Sequence, residues 1–140
     1  MTPEEWRRSG KTFTYRQQTI FYRDEGDSEI LLLMHGFPTA SWDWHKIWDT
    51  LKERFRLLAP DMIGFGFSAK PRYYAYSISD QADLHETLLE GLGVLVVHIL
   101  AHDYGNTVAQ EIRRKPHVCF SLHFQNDDHS AGSARRQLGW

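Results

Sequence analysis

The sequence predicts an α/β fold with a mostly parallel sheet and helices on both of its faces. Three apolar runs support this class: residues 29–36 (EILLLMHG), 55–61 (FRLLAPD) and 94–101 (VLVVHILA). Their unbroken hydrophobicity is typical of strands that are buried on both faces. Segments with helix signals follow the runs, and strand–helix alternation indicates a parallel sheet. In such sheets, functional sites lie beyond the carboxyl ends of the strands.

The N-terminal part of the chain predicts an antiparallel hairpin. Residues 11–26 (KTFTYRQQTIFYRDEG) alternate and carry β-forming residues around a polar break at 16–18, and residues 26–28 form a turn. Ser41 is then expected to cap a helix through residues 42–54. The buried stripe of that helix comprises Trp44, Ile47, Trp48 and Leu51.

The second half of the chain continues the alternation of helices and strands. A helix is expected to begin at Ser77 or Ser79 and to end at Gly91 and Gly93, with Leu84, Leu88 and Leu92 on one face. A third helix spans residues 105–115 and ends at Pro116, and residues 117–124 are compatible with one more strand.

The domain organisation follows from a shift in composition. Residues 1–124 are assigned to one α/β core, and residues 125–140 to a disordered or aberrant tail without apolar periodicity. With 41% hydrophobic and 24% charged residues, the chain of 140 residues can bury a core.

Composition also excludes several function classes. The net charge is −2 with acid and base mixed, so there is no basic stripe for nucleic acid. The longest apolar stretch, residues 91–101, is too short for the roughly 20 residues of a spanning helix, so we expect no membrane segment. No signal peptide precedes the core, and Cys119 is the only cysteine, so we expect a cytoplasmic location.

Asp103 is the main candidate for chemistry. An aspartate before a helix is most often an N-cap, which is the structural interpretation. However, Ala101 and Gly105 stand two residues away on either side, which is the spacing of a nucleophile elbow with Asp in place of Ser. A carboxylate at a helix N-terminus is already ionised and can displace a leaving group from carbon without a base. Hydrolysis of the resulting ester then needs a histidine base and an oxyanion hole.

Two loops complete the predicted site. The segment HGFP (35–38) follows a buried strand, so the backbone N–H of Phe37 is the expected oxyanion donor, together with that of Tyr104. His35 is expected to orient the loop rather than to act as a base. The Gly-x-Gly of DMIGFGFSAKP (61–71) lacks a third glycine and a following helix, so a dinucleotide site is rejected. We expect no cofactor and no metal.

In this order and spacing, HGFPTASWDWHKIW, DMIGFGFSAKP and AHDYGNTVAQE resemble the α/β-hydrolase superfamily. They are most similar to its Asp-nucleophile branch of haloalkane dehalogenases and epoxide hydrolases, and in particular to the mesoderm-specific transcript (Mest-like) group. The resemblance covers residues 6–115, extending to about 120, and the opening SGKTFTYRQQTIFYRD shares it. It implies a nucleophile at Asp103, oxyanion-hole amides at Phe37 and Tyr104, and a small apolar or amphipathic substrate.

Two departures from that branch bear on the reaction. Dehalogenases carry Trp after the nucleophile, and Tyr104 stands there, which argues against dehalogenation. Epoxide hydrolases use cap-domain tyrosines, and no cap sequence is present. The family's acid and histidine follow the nucleophile on later strands. The five candidates after the elbow lie too near it and are interpreted as structural or tail residues: His117, His123, His129, Asp127 and Asp128.

Three functional hypotheses result. The first is a truncated hydrolase whose Asp103 attacks carbon and whose turnover is impaired, with a frameshift or premature end as the interpretation of the tail. The second is a catalytically silent binding module, with self-association through an exposed sheet edge. The third and least favoured is a serine esterase that uses Ser68 or Ser77, although Ser68 is expected to be a turn residue.

Overall fold

The computed structural model describes residues 1–113 and 119–125. In this part of the chain, six strands form one mixed sheet in the order β1-β2-β4-β3-β5-β6. The first two pairings, β1 with β2 and β2 with β4, are antiparallel, and the other three are parallel. The strands are β1 (Lys11–Tyr15), β2 (Gln18–Glu25), β3 (Ile30–Met34), β4 (Arg56–Pro60), β5 (Val96–His102) and β6 (Cys119–Gln125).

Helices cover both faces of this sheet, as predicted. Alternate residues of β3 divide between two cores because successive side chains of a strand point to opposite faces. Leu32 packs with the residues of α3 and α4, whereas Leu31 packs with three tryptophans of the N-terminal half. The helices are α1 (Pro3–Arg8), a 3-10 helix (Ser41–Lys46), α2 (Trp48–Lys52), α3 (Ile78–Gly91) and α4 (Tyr104–Arg113). The predicted fold class is confirmed.

The N-terminal hairpin turns at Arg16 and Gln17, which have φ of 46° and 66°. Two left-handed residues in a two-residue loop match the twist of antiparallel strands. Tyr15 pairs with Gln18 across this turn. The predicted polar break is therefore the turn itself, with Gln18 already in β2.

The single helix predicted for residues 42–54 is wrong. The structure has a 3-10 helix and the short α2, separated at Ile47, which is 40% exposed. The N-cap residue is Ala40, which makes no side-chain cap bond. Ser41 does not cap because its hydroxyl accepts the indole N–H of Trp6 at 3.0 Å. A tertiary contact has replaced the local one.

Helix α1 was not predicted. Thr2 and Glu5 form a reciprocal capping box, with Pro3 in the first turn. The helix buries Trp6, and the Arg23 guanidinium lies between the rings of Trp6 and Trp48 at 4.3 and 4.4 Å from their centroids. Such cation–π contacts stabilise the packing of α1 on the sheet.

Helix α3 begins at the first of its two predicted starts. The hydroxyl of Ser77 accepts the backbone N–H of Asp80 at 3.0 Å. Gly93, with φ of 69°, follows the last turn. At the other edge of the sheet, β6 confirms the predicted extra strand and includes Gln125. The division into a core (1–124) and a tail (125–140) stays a prediction, because residues 126–140 lie outside the described residues.

None of the helices in the described part of the chain combines the length and the hydrophobicity that crossing a bilayer requires.

His85 on α3 makes stability sensitive to acid. It is fully buried, and burial lowers its pKa from 6.5 to about 4. Between these values the unfolded state binds a proton that the folded state does not, so stability is lost as pH falls through this window. At about pH 5 the loss amounts to about 2 kcal/mol.

We expect His85→Leu to remove this share of the pH dependence. Urea unfolding at about pH 7.5 and about pH 5 measures the loss of stability in each protein. The variant should lose about 2 kcal/mol less than the parent chain. Equal losses in the two proteins would contradict a buried neutral histidine.

Candidate active site

The parallel pairing of β3 with β5 brings two predicted site segments together. Met34, the last residue of β3, pairs with Ala101 near the end of β5. The HGFP loop leaves β3 directly after this point, and Asp103 follows β5. Carboxyl ends of adjacent parallel strands share an edge of the sheet, so both segments meet there.

Asp103 occupies a tight turn between β5 and α4. Its φ is 50°, a left-handed value that is uncommon outside glycine. An N-cap residue has an extended backbone and accepts an N–H from its own helix. Asp103 lacks the extended backbone of an N-cap residue. Its carboxylate also accepts an N–H from outside its own helix, that of Phe37 in another loop. The side chain is exposed to solvent.

Backbone amides hold the Asp103 carboxylate in its charged form. The N–H of Phe37 donates to Oδ2 at 2.8 Å. Hydrogen bonds from the backbone of Phe37 and then of Tyr104 lower the pKa of Asp103 below its usual range, with a smaller contribution from His102. Charge-assisted hydrogen bonds of this kind favour the ionised carboxylate.

Two glycines allow the segments to approach. A Cβ on Gly36 would lie 2.8 Å from the Cβ of Asp103 and 3.0 Å from its Oδ2. A Cβ on Gly105 would lie 2.5 Å from the carbonyl oxygen of Met34 and 2.6 Å from that of His35. Any side chain at either position would push the loop and the turn apart.

His35 joins the HGFP loop to the loop after β4. The residue is fully buried, Nδ1 contacts the carbonyl of Gly36 at 2.8 Å, and Nε2 accepts the N–H of Met62 at 3.0 Å. Since Nε2 accepts, the Nδ1–H tautomer is the one assigned from this network. Burial lowers its pKa, so the ring is neutral. Both nitrogens are engaged, which fits a role in orienting the loop.

Asp61 is a site residue that the sequence reasoning missed. Its carboxylate is fully buried and accepts the N–H of Ser41 and of Phe67, each at 2.7 Å. A Cβ on Gly66, with φ of 53°, would lie 2.1 Å from Oδ2. Asp61 therefore ties the segment that follows the HGFP loop to the loop after β4. Its position directly after an apolar strand was the available signal.

The serine residues of the third hypothesis have structural partners. Ser68 is 4% exposed, donates to the carbonyl of Asp61 at 2.6 Å and accepts the N–H of Phe21 at 3.0 Å. Ser77 caps α3. Neither hydroxyl is placed as a nucleophile.

Aromatic rings line the site beside Asp103. The ring of Phe65 lies 5.9 Å from that of Phe37 and 6.2 Å from that of Tyr104, measured between centroids. Phe37 is 66% exposed. Burial raises the pKa of the Tyr104 phenol. These rings form an apolar wall next to a charged carboxylate.

Other candidates lie elsewhere. His123 belongs to β6, whereas four residues fall outside the described range: His117, His129, Asp127 and Asp128. Within residues 1–113 and 119–125 there is no group of three His, Cys, Asp or Glu side chains that could hold a metal ion.

Comparison with known proteins finds a matching family and a similar relative. Residues 29–136 match the family described as alpha/beta hydrolase fold, a range that overlaps the predicted tail. The mesoderm-specific transcript protein of Mus musculus is 52% identical over 114 residues, covering 76% of this chain and 34% of that protein. This chain thus spans about a third of the length of that relative.

Solved structures agree with this match. The epoxide hydrolase CorEH is 26% identical with a TM-score of 0.77, covering 82% of this chain and 41% of that chain. A haloalkane dehalogenase variant from Bradyrhizobium elkanii is 32% identical with a TM-score of 0.73, covering 83% and 39%. The predicted resemblance to these hydrolases and to the mesoderm-specific transcript group is confirmed.

Gly105 provides a test of the close approach. We expect Gly105→Ala to destabilise the fold by roughly 2 kcal/mol or more, because the new methyl group meets backbone oxygens that cannot rotate away. Gly91→Ala is the matched control, since a Cβ there meets nothing within 4 Å. It should leave stability unchanged or raise it by up to about 1 kcal/mol. Urea unfolding measures both, and equal effects would contradict the packing.

Proposed function

This chain belongs to the alpha/beta hydrolase fold family, and from that premise we propose that it carries the nucleophile of an epoxide hydrolase-like enzyme. Asp103 is the nucleophile and attacks carbon. One observation carries the proposal: an exposed aspartate at a left-handed turn accepts a backbone N–H from the neighbouring HGFP loop. A residue that served only the helix would not need that partner.

The first step needs only groups present in this part of the chain. A lone pair of Asp103 Oδ1 attacks a carbon of an epoxide, and the carbon–oxygen bond of the ring breaks. The electron pair passes to the epoxide oxygen, which takes a proton from water and becomes a hydroxyl. The product is a hydroxyalkyl ester of Asp103. Because the carboxylate is ionised at neutral pH, no base is required for this step.

The amide that holds Oδ2 supports the second step. When water attacks Cγ of the ester, negative charge develops on the oxygen that has stayed a carbonyl. That oxygen is Oδ2, which faces the N–H of Phe37 at 2.8 Å in the free carboxylate. Collapse of this intermediate releases a diol and restores the carboxylate, which then contains one oxygen from water. A general base must accept the proton of that water.

The surroundings favour a small apolar or amphipathic epoxide over a haloalkane. The solved relatives named above include an epoxide hydrolase and a haloalkane dehalogenase. Tyr104 follows the nucleophile and supplies no indole N–H for a halide. The aromatic wall of Phe37, Phe65 and Tyr104 offers apolar surface for the carbon skeleton.

The first step can be tested on the chain as it exists. We expect incubation with styrene oxide to add one epoxide mass to the protein, located by peptide mapping at Asp103. Asp103→Asn should lose this adduct. Asp49→Asn is the matched control because the Asp49 side chain is 86% exposed and lies outside the site, so it should react like the parent chain.

The pH dependence adds a second criterion. The pKa of Asp103 is lowered, so its carboxylate stays ionised and the alkylation rate should be constant between about pH 8 and about pH 5. Adducts spread evenly over exposed carboxylates would overturn the proposal. A protein that carries no adduct at Asp103 would favour the silent binding module instead.

A further inference from the structure

A chain of polar contacts that does not include His35 also restrains the HGFP loop. The carboxylate Oδ2 of Asp43 lies 3.5 Å from Nε2 of His102, the residue before the nucleophile. The hydroxyl of Thr39 donates to the same oxygen of Asp43 and lies 3.4 Å from the carbonyl oxygen of Gly36. The contacts therefore run from the end of β5 through the 3-10 helix back to the loop.

The geometry of His102 gives this chain of contacts a fixed position. Its ring meets Trp44 edge to face, with centroids 5.2 Å apart. A Cβ on Gly36 would lie 3.0 Å from Cε1 of His102 and equally 3.0 Å from Oδ2 of Asp103. His102 and the nucleophile thus border the same backbone atom of the loop. The side chains of His102 and Asp43 are only 21% and 27% exposed, so solvent screens their interaction incompletely.

We propose that His102 and Asp43 form a positioning pair that, through Thr39, holds the Phe37 N–H on the carboxylate of Asp103. Its bearing on catalysis rests on the proposed function, but the structural role does not. Neither residue reacts with substrate. The pair acts on the loop, and the loop presents the amide.

The link to Asp103 is short. Phe37 lies between Gly36 and Thr39, the last two residues of the contact chain that starts at His102. Release of Thr39 removes the restraint on this segment from one side, while His35 still holds the other. A hydrogen bond weakens steeply when its distance or angle departs from the favoured range. The Phe37 amide is also the largest cause of the lowered pKa of Asp103, so that pKa reports the position of the loop.

The experiment is a titration of the Asp103 carboxyl carbon by NMR in protein with carbon-13-labelled aspartate, without substrate. We expect Thr39→Val, which changes no charge, and Asp43→Ala to raise the pKa of Asp103 by roughly half a pH unit or more. The Phe37 amide proton should shift upfield as its bond lengthens. Asp49→Ala, on the neighbouring α2, is the control that should change neither signal.

The sign of the change separates positioning from simple electrostatics. Removal of a nearby negative charge at Asp43 would by itself lower the pKa of Asp103, whereas release of the loop raises it. His102→Leu and His102→Gln form a second matched pair, since neither side chain titrates and only Gln carries an N–H group that can reach Asp43. We expect the pKa of Asp103 to be lower in the His102→Gln variant than in the His102→Leu variant. Of the titratable groups around the carboxylate, Asp43 and His102 are changed in these variants, and His35 is left unchanged in all of them.

Two outcomes overturn the proposal. One is a folded Asp43→Ala variant in which the pKa of Asp103 falls or stays constant and the Phe37 amide does not move. The other is an identical pKa in the Leu and Gln variants of His102. A well-dispersed amide spectrum establishes folding for each variant, and Thr39→Val covers the case in which Asp43→Ala unfolds. Because no epoxide is present, failure of alkylation at Asp103 does not affect the result.

Discussion

The register between β3 and β5 is the constraint on which the site depends. Pairing of Met34 with Ala101 sets the points at which two loops leave the sheet. Glycines at 36 and 105 then allow contacts that any side chain would block. Because a shift of one residue in register would turn every side chain to the opposite face, the hydrophobic pattern of the strands also protects the site. The same apolar residues that stabilise the core thus place an amide next to a carboxylate.

Buried polar groups convert this placement into a fixed geometry. His35 contacts its own HGFP loop through Nδ1 and the loop after β4 through Nε2, and Asp61 accepts the N–H of Ser41 and of Phe67. A buried polar group without partners costs considerable stability, so each of these side chains strongly favours the one loop arrangement that satisfies it. The HGFP loop and the loop after β4 are therefore held by internal hydrogen bonds.

The strands, the hairpin and the meeting of the two motifs could be predicted because they follow from periodicity and connection rules. The helix after β3 could not, because its predicted cap, Ser41, bonds to Trp6 from a distant segment. Helix α1 shows the opposite case: its capping box was readable, but six residues form a stable helix only through tertiary packing, here against Arg23. The role of Asp61 also escaped prediction, since its amide partners lie in two separate loops whose meeting the sequence does not specify.

Two aspartates each follow a strand that neighbours β3, but their surroundings differ and so do the roles that fit them. Asp61 follows β4 and Asp103 follows β5, the two strands that flank β3. Asp61 is fully buried, and each of its oxygens accepts an amide N–H from a loop, so this carboxyl group serves to hold the fold. Asp103 is exposed at a strained turn, and a loop amide stabilises its charge without enclosing it. Since a nucleophile must be both ionised and accessible, Asp103 and not Asp61 fits the nucleophile that we propose. The first aspartate supports the second indirectly, because it holds Ser41, which follows the HGFP loop whose amide contacts Asp103.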